Sequence, residues 1–416
     1  MTRRVAITGM GLVCPLGNSV KESVASAYEG KSGIRRCDKY LWGEFGEKMP
    51  IRVGGLVENF DVGKYVPEKF ADRYDPCVSF ALAAAKEALD DCGIEFDDAL
   101  RDRTGVIIGT AVTGNWTWHR ALHMAFAEKR AHEIPGFMIM QISGNMPAGL
   151  IALTHKFRGP NIGVVNACAT GGTSIAIGSD YIRFGRAEIV VAGGTDAAIG
   201  LSMYGSLTNA KAINPTDDPV RASKPFSKDR AGLIKGEGCG VMILEPMDRA
   251  EARGARIYGE ILGDSQTNDA YHIISPEPSG ESWARAMKLA MEASGVTPEQ
   301  VDWISAHAAS TVAGDLAEVR AIKLAFGRRA HDIPVTSTKS MHGHAFGAAG
   351  AIELTLAVGA MNEDKLLPTI NLTVPDPECD LDFVPNNGRP GKTRILMKNS
   401  FGFGGTNSCL LIKRVD

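Results

Sequence analysis

The sequence predicts an α/β fold, and three observations carry that expectation. Short β-branched runs ending in glycine or small polar residues recur along the chain. They are continuously apolar rather than alternating, as strands covered on both faces are, and stretches of helical periodicity separate them. Glycine is also in surplus, 47 of 416 residues against an average usage of about 7%. Such a surplus fits many tight turns and close backbone approaches.

In chain order, Val5–Thr8, Thr104–Gly109, Gly163–Val165 and Ile189–Ala192 read as buried strands. Val78–Cys92 reads as a helix with Phe80, Ala84, Ala88 and Leu89 along one side, and a helical stretch runs from Thr173 to Phe184. Lys224–Gly240 is rich in glycine and charge, and a polar stretch, Met247–Gly254, follows it. The boundary between two halves is placed there, giving residues 1–250 and 251–416, although no internal sequence repeat is strong enough to prove a duplication. Strands are expected again at Arg256–Leu262, Val301–Ser305, Ile333–Thr336, Arg394–Lys398 and Ser408–Lys413. Glu281–Gly295 reads as a helix with Trp283, Met287, Ala290 and Met291 on one face. The last two strands flank Gly402-Phe403-Gly404-Gly405, a glycine-rich hairpin turn.

Composition excludes several classes of function. Forty-five Lys and Arg against 48 Asp and Glu give a net charge of −3, whereas a nucleic-acid-binding protein normally has a basic excess. Eight scattered cysteines form no CxxC pair and no zinc-type spacing with histidine, so neither a disulfide framework nor a metal site is expected. Met1-Thr2-Arg3-Arg4 precedes only four apolar residues before Gly9, too few for a signal peptide. No apolar run approaches the ~20 residues of a spanning helix. A cytoplasmic protein without nucleic-acid or membrane partners is expected.

Three short patterns carry no chemistry. Gly9-Met10-Gly11 follows the first strand, but Cys14 stands where a dinucleotide fingerprint needs its third glycine. Asn386 to Thr393 nearly spells a phosphate-binding loop, yet it lacks the first glycine and precedes a strand. His342 and His344 are two apart, poor spacing for a metal pair on a helix.

One constellation remains. Cys168 lies in Val164-Val165-Asn166-Ala167-Cys168-Ala169-Thr170-Gly171-Gly172, where a strand enters, a small-residue turn holds the cysteine and a helix leaves. This is the geometry of a nucleophile elbow, in which the helix dipole and free N–H groups favour the thiolate. Gly171 and Gly172 are expected to let a substrate carbonyl approach the backbone; a buried structural cysteine is the alternative. His307 follows strand Val301–Ser305 directly and His344 lies in Ser337-Thr338-Lys339-Ser340-Met341-His342-Gly343-His344, both at carboxyl ends of strands, where ligands of open α/β folds gather. Lys339 could hold an acidic partner, and Glu318, eleven residues after His307, is the candidate.

These residues lead to a family. The sequence resembles β-ketoacyl-acyl carrier protein synthases of the elongating type, and the resemblance runs from Arg4 to Arg414. Five stretches carry it: Arg4-Val5-Ala6-Ile7-Thr8-Gly9-Met10-Gly11, Ala167-Cys168-Ala169-Thr170-Gly171, Pro225-Phe226-Ser227-Lys228-Asp229-Arg230, Lys339-Ser340-Met341-His342-Gly343-His344, and Asn399-Ser400-Phe401-Gly402-Phe403-Gly404-Gly405-Thr406-Asn407. The resemblance implies a thiolase-like fold of two similar halves layered α-β-α-β-α, in a homodimer with a heterodimer as the alternative. It implies that Cys168 accepts an acyl group, that His307 and His344 serve decarboxylation and condensation, and that Lys339 and Glu318 form a supporting ion pair. Phe403 matches a gating residue whose N–H completes an oxyanion hole with that of Cys168. Thr311, Val112, Met138 and Phe401 are the implied substrate contacts, with Val112 limiting chain length and Met138 reaching in from a second subunit. No resident cofactor is implied, since phosphopantetheine arrives on the acyl carrier protein with the acyl and malonyl thioesters. Lys64, Lys69, Arg73, Lys129 and Arg130 are candidates for a basic patch facing that acidic carrier.

The chain departs from the family pattern at several positions. His307-Ala308-Ala309-Ser310-Thr311 stands where the family usually has His-Gly-Thr-Ser-Thr. His342 replaces a usual threonine, Ser227 a usual aspartate and Lys235 an apolar residue. A specialised elongating synthase is therefore expected, making a 3-oxoacyl thioester of fatty acid or polyketide type. Two other readings stay open on sequence. One is a non-catalytic partner subunit of the chain-length-factor kind; the other is an acyltransferase that uses the Cys168 acyl-enzyme without condensation.

Overall fold

The computed structural model describes residues 3–38, 49–71 and 73–415. Its main sheet has ten strands: β1 (Val5–Val13), β2 (Thr104–Gly109), β3 (Asn161–Val164), β4 (Ile189–Asp196), β5 (Gly238–Pro246), β6 (Gly259–Asn268), β7 (Trp303–Ser305), β8 (Val335–Thr336), β9 (Ile395–Gly402) and β10 (Thr406–Lys413). The order across the sheet is β8-β7-β9-β10-β6-β1-β5-β4-β2-β3. Every residue of β1, β2, β4 and β5 is buried, as the continuous apolar runs predict. Strand β5 was not expected from the sequence, and it begins inside the glycine- and charge-rich stretch Lys224–Gly240. Its glycines Gly238 and Gly240 open a strand whose apolar stretch, Val241–Leu244, lies deep in the sheet.

The duplication that the sequence conceals is present in the topology. In the first five strands, β1 runs antiparallel to β5, β5 antiparallel to β4, and β4 and β2 continue parallel to β3. In the second five, β6 runs antiparallel to β10, β10 antiparallel to β9, and β9 and β7 continue parallel to β8. The two sets meet only where Val5, Ala6 and Ile7 pair with Ile261, Glu260 and Gly259.

Six helices complete the layers: α1 (Pro76–Cys92), α2 (Met146–His155), α3 (Thr170–Arg183), α4 (Glu281–Ser294), α5 (Val312–Phe326) and α6 (Ala349–Asn362). Helix α1 starts on an Asp75 cap that accepts the Cys77 N–H and ends on left-handed Gly93. It packs on β1 and β5, while α4 packs on β6 and β10. Helices α3 and α6 pack against each other at the centre, and α6 is apolar all round, with only Asn362 outside its buried set. Gly9 and Gly11 serve this packing. A Cβ on Gly11 would stand 1.8 Å from the Ala84 carbonyl oxygen, and one on Gly9 2.3 Å from that of Ala88.

Both central helices begin with the same strained turn. After β3, Ala167 takes φ +45° and one short turn of 3-10 helix, Ala167–Ala169, feeds α3. After β8, Phe346 takes φ +43° and Phe346–Ala348 feeds α6. The turns face one another so closely that a Cβ on Gly171 would lie 2.7 Å from the Ala351 nitrogen, and one on Gly350 2.9 Å from the Gly172 nitrogen. Gly171 and Gly172 are therefore spent on helix contact, not on the substrate approach expected of them. No helix among the described residues is long and apolar enough to cross a membrane.

Candidate active site

Cys168 sits on the first of these turns and is 6% exposed. The turn is tied by its own side chains. Thr170 Oγ1 donates to the Ala167 carbonyl at 2.7 Å and accepts the Asn166 N–H at 2.7 Å, while Asn166 Nδ2 donates to Thr173 Oγ1. The β9–β10 hairpin closes over it: Thr406 Oγ1 donates to the Asn166 carbonyl, and the Phe403 N–H donates to the sulfur. Burial pushes the Cys168 thiol up to about 11, against the pull of Lys235 and Lys339. The turn therefore holds a thiol at rest, where helix-dipole reasoning alone expects a thiolate.

His307 follows β7, and His344 lies in the stretch between β8 and α6. Their rings meet edge to face at 5.3 Å between centroids. Burial, followed by the charge of Lys339, holds both imidazoles well below their usual range, so both are neutral at pH 7. A neutral imidazole keeps one N–H donor. Cys168, His307 and His344 all line one cavity of about 310 Å³, together with Ala309, Thr311, Phe401 and Phe403. Phe401 stacks on Trp283 at 4.0 Å and presents its edge region to His307 at 5.9 Å.

The support of this site differs from the expected pair. Lys339 does not pair with Glu318. Its Nζ lies 2.6 Å from Glu353 Oε1 and donates to the His307 carbonyl at 2.5 Å. Lys398 Nζ takes the other Glu353 oxygen at 2.7 Å. Glu318 is occupied elsewhere, accepting the His307 N–H at 2.9 Å, the Ala308 N–H at 2.7 Å and an Asn399 Nδ2 hydrogen at 3.1 Å. It fixes the histidine loop through the backbone, and no lysine nitrogen comes within ion-pair distance of it among the described residues. The Pro225–Arg230 stretch holds the same loop: Arg230 donates to the Thr311 and Val312 carbonyls and pairs with Asp376 at 2.6 Å.

Sequence reasoning missed Glu353, Lys398 and Asp196, and noted Lys235 only as a departure from the family pattern. Lys398 and Lys235 do carry a signal, a charged residue inside or beside an apolar strand, and both are fully buried. Asp196 Oδ2 accepts N–H groups from Ala111, Val112 and Gly347, and so pins the Val112 loop to the second strained turn. Val112 packs on the cluster that contains Cys168 and Phe346. Met138 is not brought to Cys168 within the protomer; it lines a second cavity with Tyr74, Trp116 and Phe137. None of the five basic residues lines the Cys168 cavity. Lys64 lines a cleft with Lys86 and Asp91, Arg73 lines the Met138 cavity, and Arg130 is paired with Glu128 and Glu133. Lys69 lies over the Phe70 ring, and Lys129 is exposed at φ +58°. His342 is buried against Thr338 Oγ1 at 2.9 Å, and no cluster of three or more His, Cys, Asp or Glu residues suited to a metal occurs among the described residues.

Residues 2–250 match the N-terminal domain of beta-ketoacyl synthases, and residues 258–373 match the C-terminal domain. The chain belongs to the β-ketoacyl synthase family. A 3-oxoacyl-[acyl-carrier-protein] synthase 2 from Synechocystis is 40% identical over 413 residues, 99% of this chain and 98% of that one. The enzyme of the same name from Coxiella burnetii is 39% identical over 414 residues, with 99% of each chain covered. Among solved structures, a type II polyketide ketosynthase in complex with its acyl-carrier protein superposes with a TM-score of 0.92 at 32% identity, covering 100% of both chains. A β-ketoacyl synthase from Burkholderia phymatum superposes at 0.91 and 30% identity, again over 100% of both. The layered α-β-α-β-α arrangement is thus the thiolase-like fold of ketosynthases.

Proposed function

We propose that this β-ketoacyl synthase is a 3-oxoacyl-[acyl-carrier-protein] synthase that joins an acyl group held on Cys168 to a malonyl unit with loss of carbon dioxide. One observation carries the assignment of residues: a cysteine sulfur, the Phe403 N–H donated to it, and two neutral histidines meet at a single cavity. Cys168 gives up its proton, which ends on the departing carrier sulfur, and its own sulfur attacks the carbonyl carbon of the acyl thioester. Backbone N–H groups of Cys168 and Phe403 stabilise the oxyanion, a contribution of about 3–4 kcal/mol for each such donor. The carrier thiol leaves and an acyl-enzyme remains. Malonyl thioester then binds, and as its carboxylate departs, negative charge builds on the thioester oxygen. One N–H from each neutral imidazole is suited to that charge. The carbanion attacks the acyl carbon, the Cys168–acyl bond breaks, and a 3-oxoacyl thioester two carbons longer is released.

The cavity wall supports a specialised substrate. Ala309 lines it where the family usually has a hydroxyl, so one contact to the pantetheine arm is missing while Thr311 is retained. A carrier protein delivering that arm, and a second copy of the chain, complete the reading. Trp118, Leu122, Phe126, Ile139 and Met140 are exposed around the segment that bears Met138, an apolar face of the kind a second protomer covers.

The test is intact mass after incubation with acyl-carrier thioesters, beside Cys168→Ala, followed by malonyl carrier. An acyl increment that the variant lacks, then carbon dioxide and a 3-oxoacyl product, is expected. Acylation without carbon dioxide release would replace condensation by simple acyl transfer. No adduct with any carrier would return the chain to the partner-subunit reading.

A further inference from the structure

Lys235 is 0% exposed, and its Nζ has no hydrogen-bond partner. An ammonium group carries three donors, and burying it without acceptors is costly unless its charge is used. Its place is fixed by the backbone of the site itself: the His344 N–H donates to the Ile234 carbonyl at 2.6 Å, and the Gly236 N–H donates to the His344 carbonyl at 2.9 Å. From there the side chain crosses the face of Phe346, with Nζ 3.1 Å from the ring centroid. Phe346 belongs to the same packed cluster as Cys168, and its other neighbour is the His344 ring at 5.2 Å. The ammonium is therefore held over Phe346, within the reach of Coulomb attraction to the Cys168 sulfur, in an interior where charges are poorly screened.

We infer that Lys235 is a positioning residue for the nucleophile, holding a fixed positive charge behind Phe346 that favours the Cys168 thiolate. It rests on the reading of Cys168 as the reactive sulfur. Other groups share the surroundings. Lys339 also attracts the thiolate, Asp196 opposes it from the end of β4, and the neutral rings of His307 and His344 face it from the second half. Glu237 and Asp196 act on Lys235 in turn. Asp196 Oδ1 is likewise unpartnered, so it does not neutralise the ammonium by direct contact. Burial lowers the Lys235 ammonium to about 8, which leaves it charged at pH 7 and neutral by pH 9.

The test is the rate at which iodoacetamide alkylates Cys168 in the intact protein, followed by mass spectrometry of its peptide from pH 6 to 10. In that reaction Cys168 loses its proton to buffer, its sulfur bonds to the acetamide carbon, and iodide leaves. The wild-type rate is expected to rise with pH up to about 8 and then less steeply, because the supporting charge is lost there. Lys235→Met should react about tenfold more slowly at pH 7, as a one-unit rise in the thiol demands, and show no break. Lys235→Arg keeps its charge throughout, so it should restore the rate at pH 7 and also lack the break. A Lys235→Met profile equal to wild type overturns the inference. So does an unbroken wild-type profile, which needs no variant to fold. Failure of acyl loading with a break near pH 8 would sink the condensing reading and leave this one standing.

Discussion

The Nζ of Lys339 lies 2.6 Å from Oε1 of Glu353, and neither side chain is more than 2% exposed. Lys398 approaches the second oxygen of that carboxylate. Two cations therefore share one anion close to His307 and His344. Burial works against the Glu353 charge, yet Lys339 and Lys398 hold its carboxyl below the usual range. The same two lysines, with burial, keep His307 and His344 unprotonated. One buried carboxylate thus permits the positive surroundings that the neutral imidazoles require.

Removing that carboxylate should be severe. Glu353→Gln leaves both lysines without an anion and is expected to cost about 3–5 kcal/mol of stability. Lys339→Met should cost less, because Lys398 remains to hold Glu353. Urea unfolding of the two variants at pH 7 checks the order; equal losses would show that Lys398 does not share the load.

His342 makes stability depend on pH in a definite direction. Burial lowers its imidazole to about 4, so below 6.5 the unfolded chain takes up a proton that the folded chain refuses. The folded state loses ground as pH falls. His342→Thr removes this, so its stability relative to wild type should improve by about 1.4 kcal/mol per pH unit below 6.5. Denaturant midpoints at pH 7.5 and pH 5 should then differ between the proteins by about 2 kcal/mol in relative stability. Other titrating groups are common to both and cancel.

The β9–β10 turn has almost no room above the nucleophile. A Cβ on Gly402 would stand 2.9 Å from the Cys168 nitrogen and 2.7 Å from Thr406 Oγ1. Gly402→Ala should push the Phe403 N–H away from the sulfur and lower the acylation rate by about 10²-fold. Its stability should fall by only about 1–3 kcal/mol. Single-turnover loading beside thermal unfolding separates the two effects.

Rebuilding the family loop tests the specialised reading. Ala308→Gly with Ala309→Thr restores one hydroxyl to the cavity, worth about 0.5–1.5 kcal/mol of binding. The KM for acyl carrier should fall while kcat holds. Unchanged carrier affinity and chain preference would remove this loop from substrate recognition.

Val112→Phe should shorten the accepted chain, since Val112 packs with the Cys168 and Phe346 cluster and its N–H is held by Asp196. Products from a carrier panel of graded length read the change. An unaltered length profile would take Val112 out of the acyl pocket.

The elbow at Cys168 was legible because every feature it needs is local: an apolar run, a turn of small residues and the start of a helix. His307 was legible for the same reason, two residues past its strand, whereas His344 lies eight residues beyond β8, after the short helix Lys339–His342. Long-range partners were not legible. Glu353 lies within an almost wholly apolar helix, 14 residues after Lys339 and 45 before Lys398, and the sequence gives no cue to the pairing because its two lysines approach from separate elements. Glu318 was found as a site residue but given the wrong partner, since spacing shows which groups are near and not which lone pairs the backbone has already taken. Strand β5 was missed because its opening glycines look like a loop until β1 and β4 are seen to flank it.

The paired strained turns assign unequal duties to equal structures. Counting from Ala167 and Phe346, the residue that answers to Cys168 in the second half is Gly347. A Cβ there would meet the Ala111 nitrogen at 2.4 Å, so no second thiol fits. One half carries the cysteine, and in the other that place serves as an anchor for its twin, donating the Gly347 N–H to Asp196. The two copies have become mutually dependent specialists, and neither could regain independence by a single substitution.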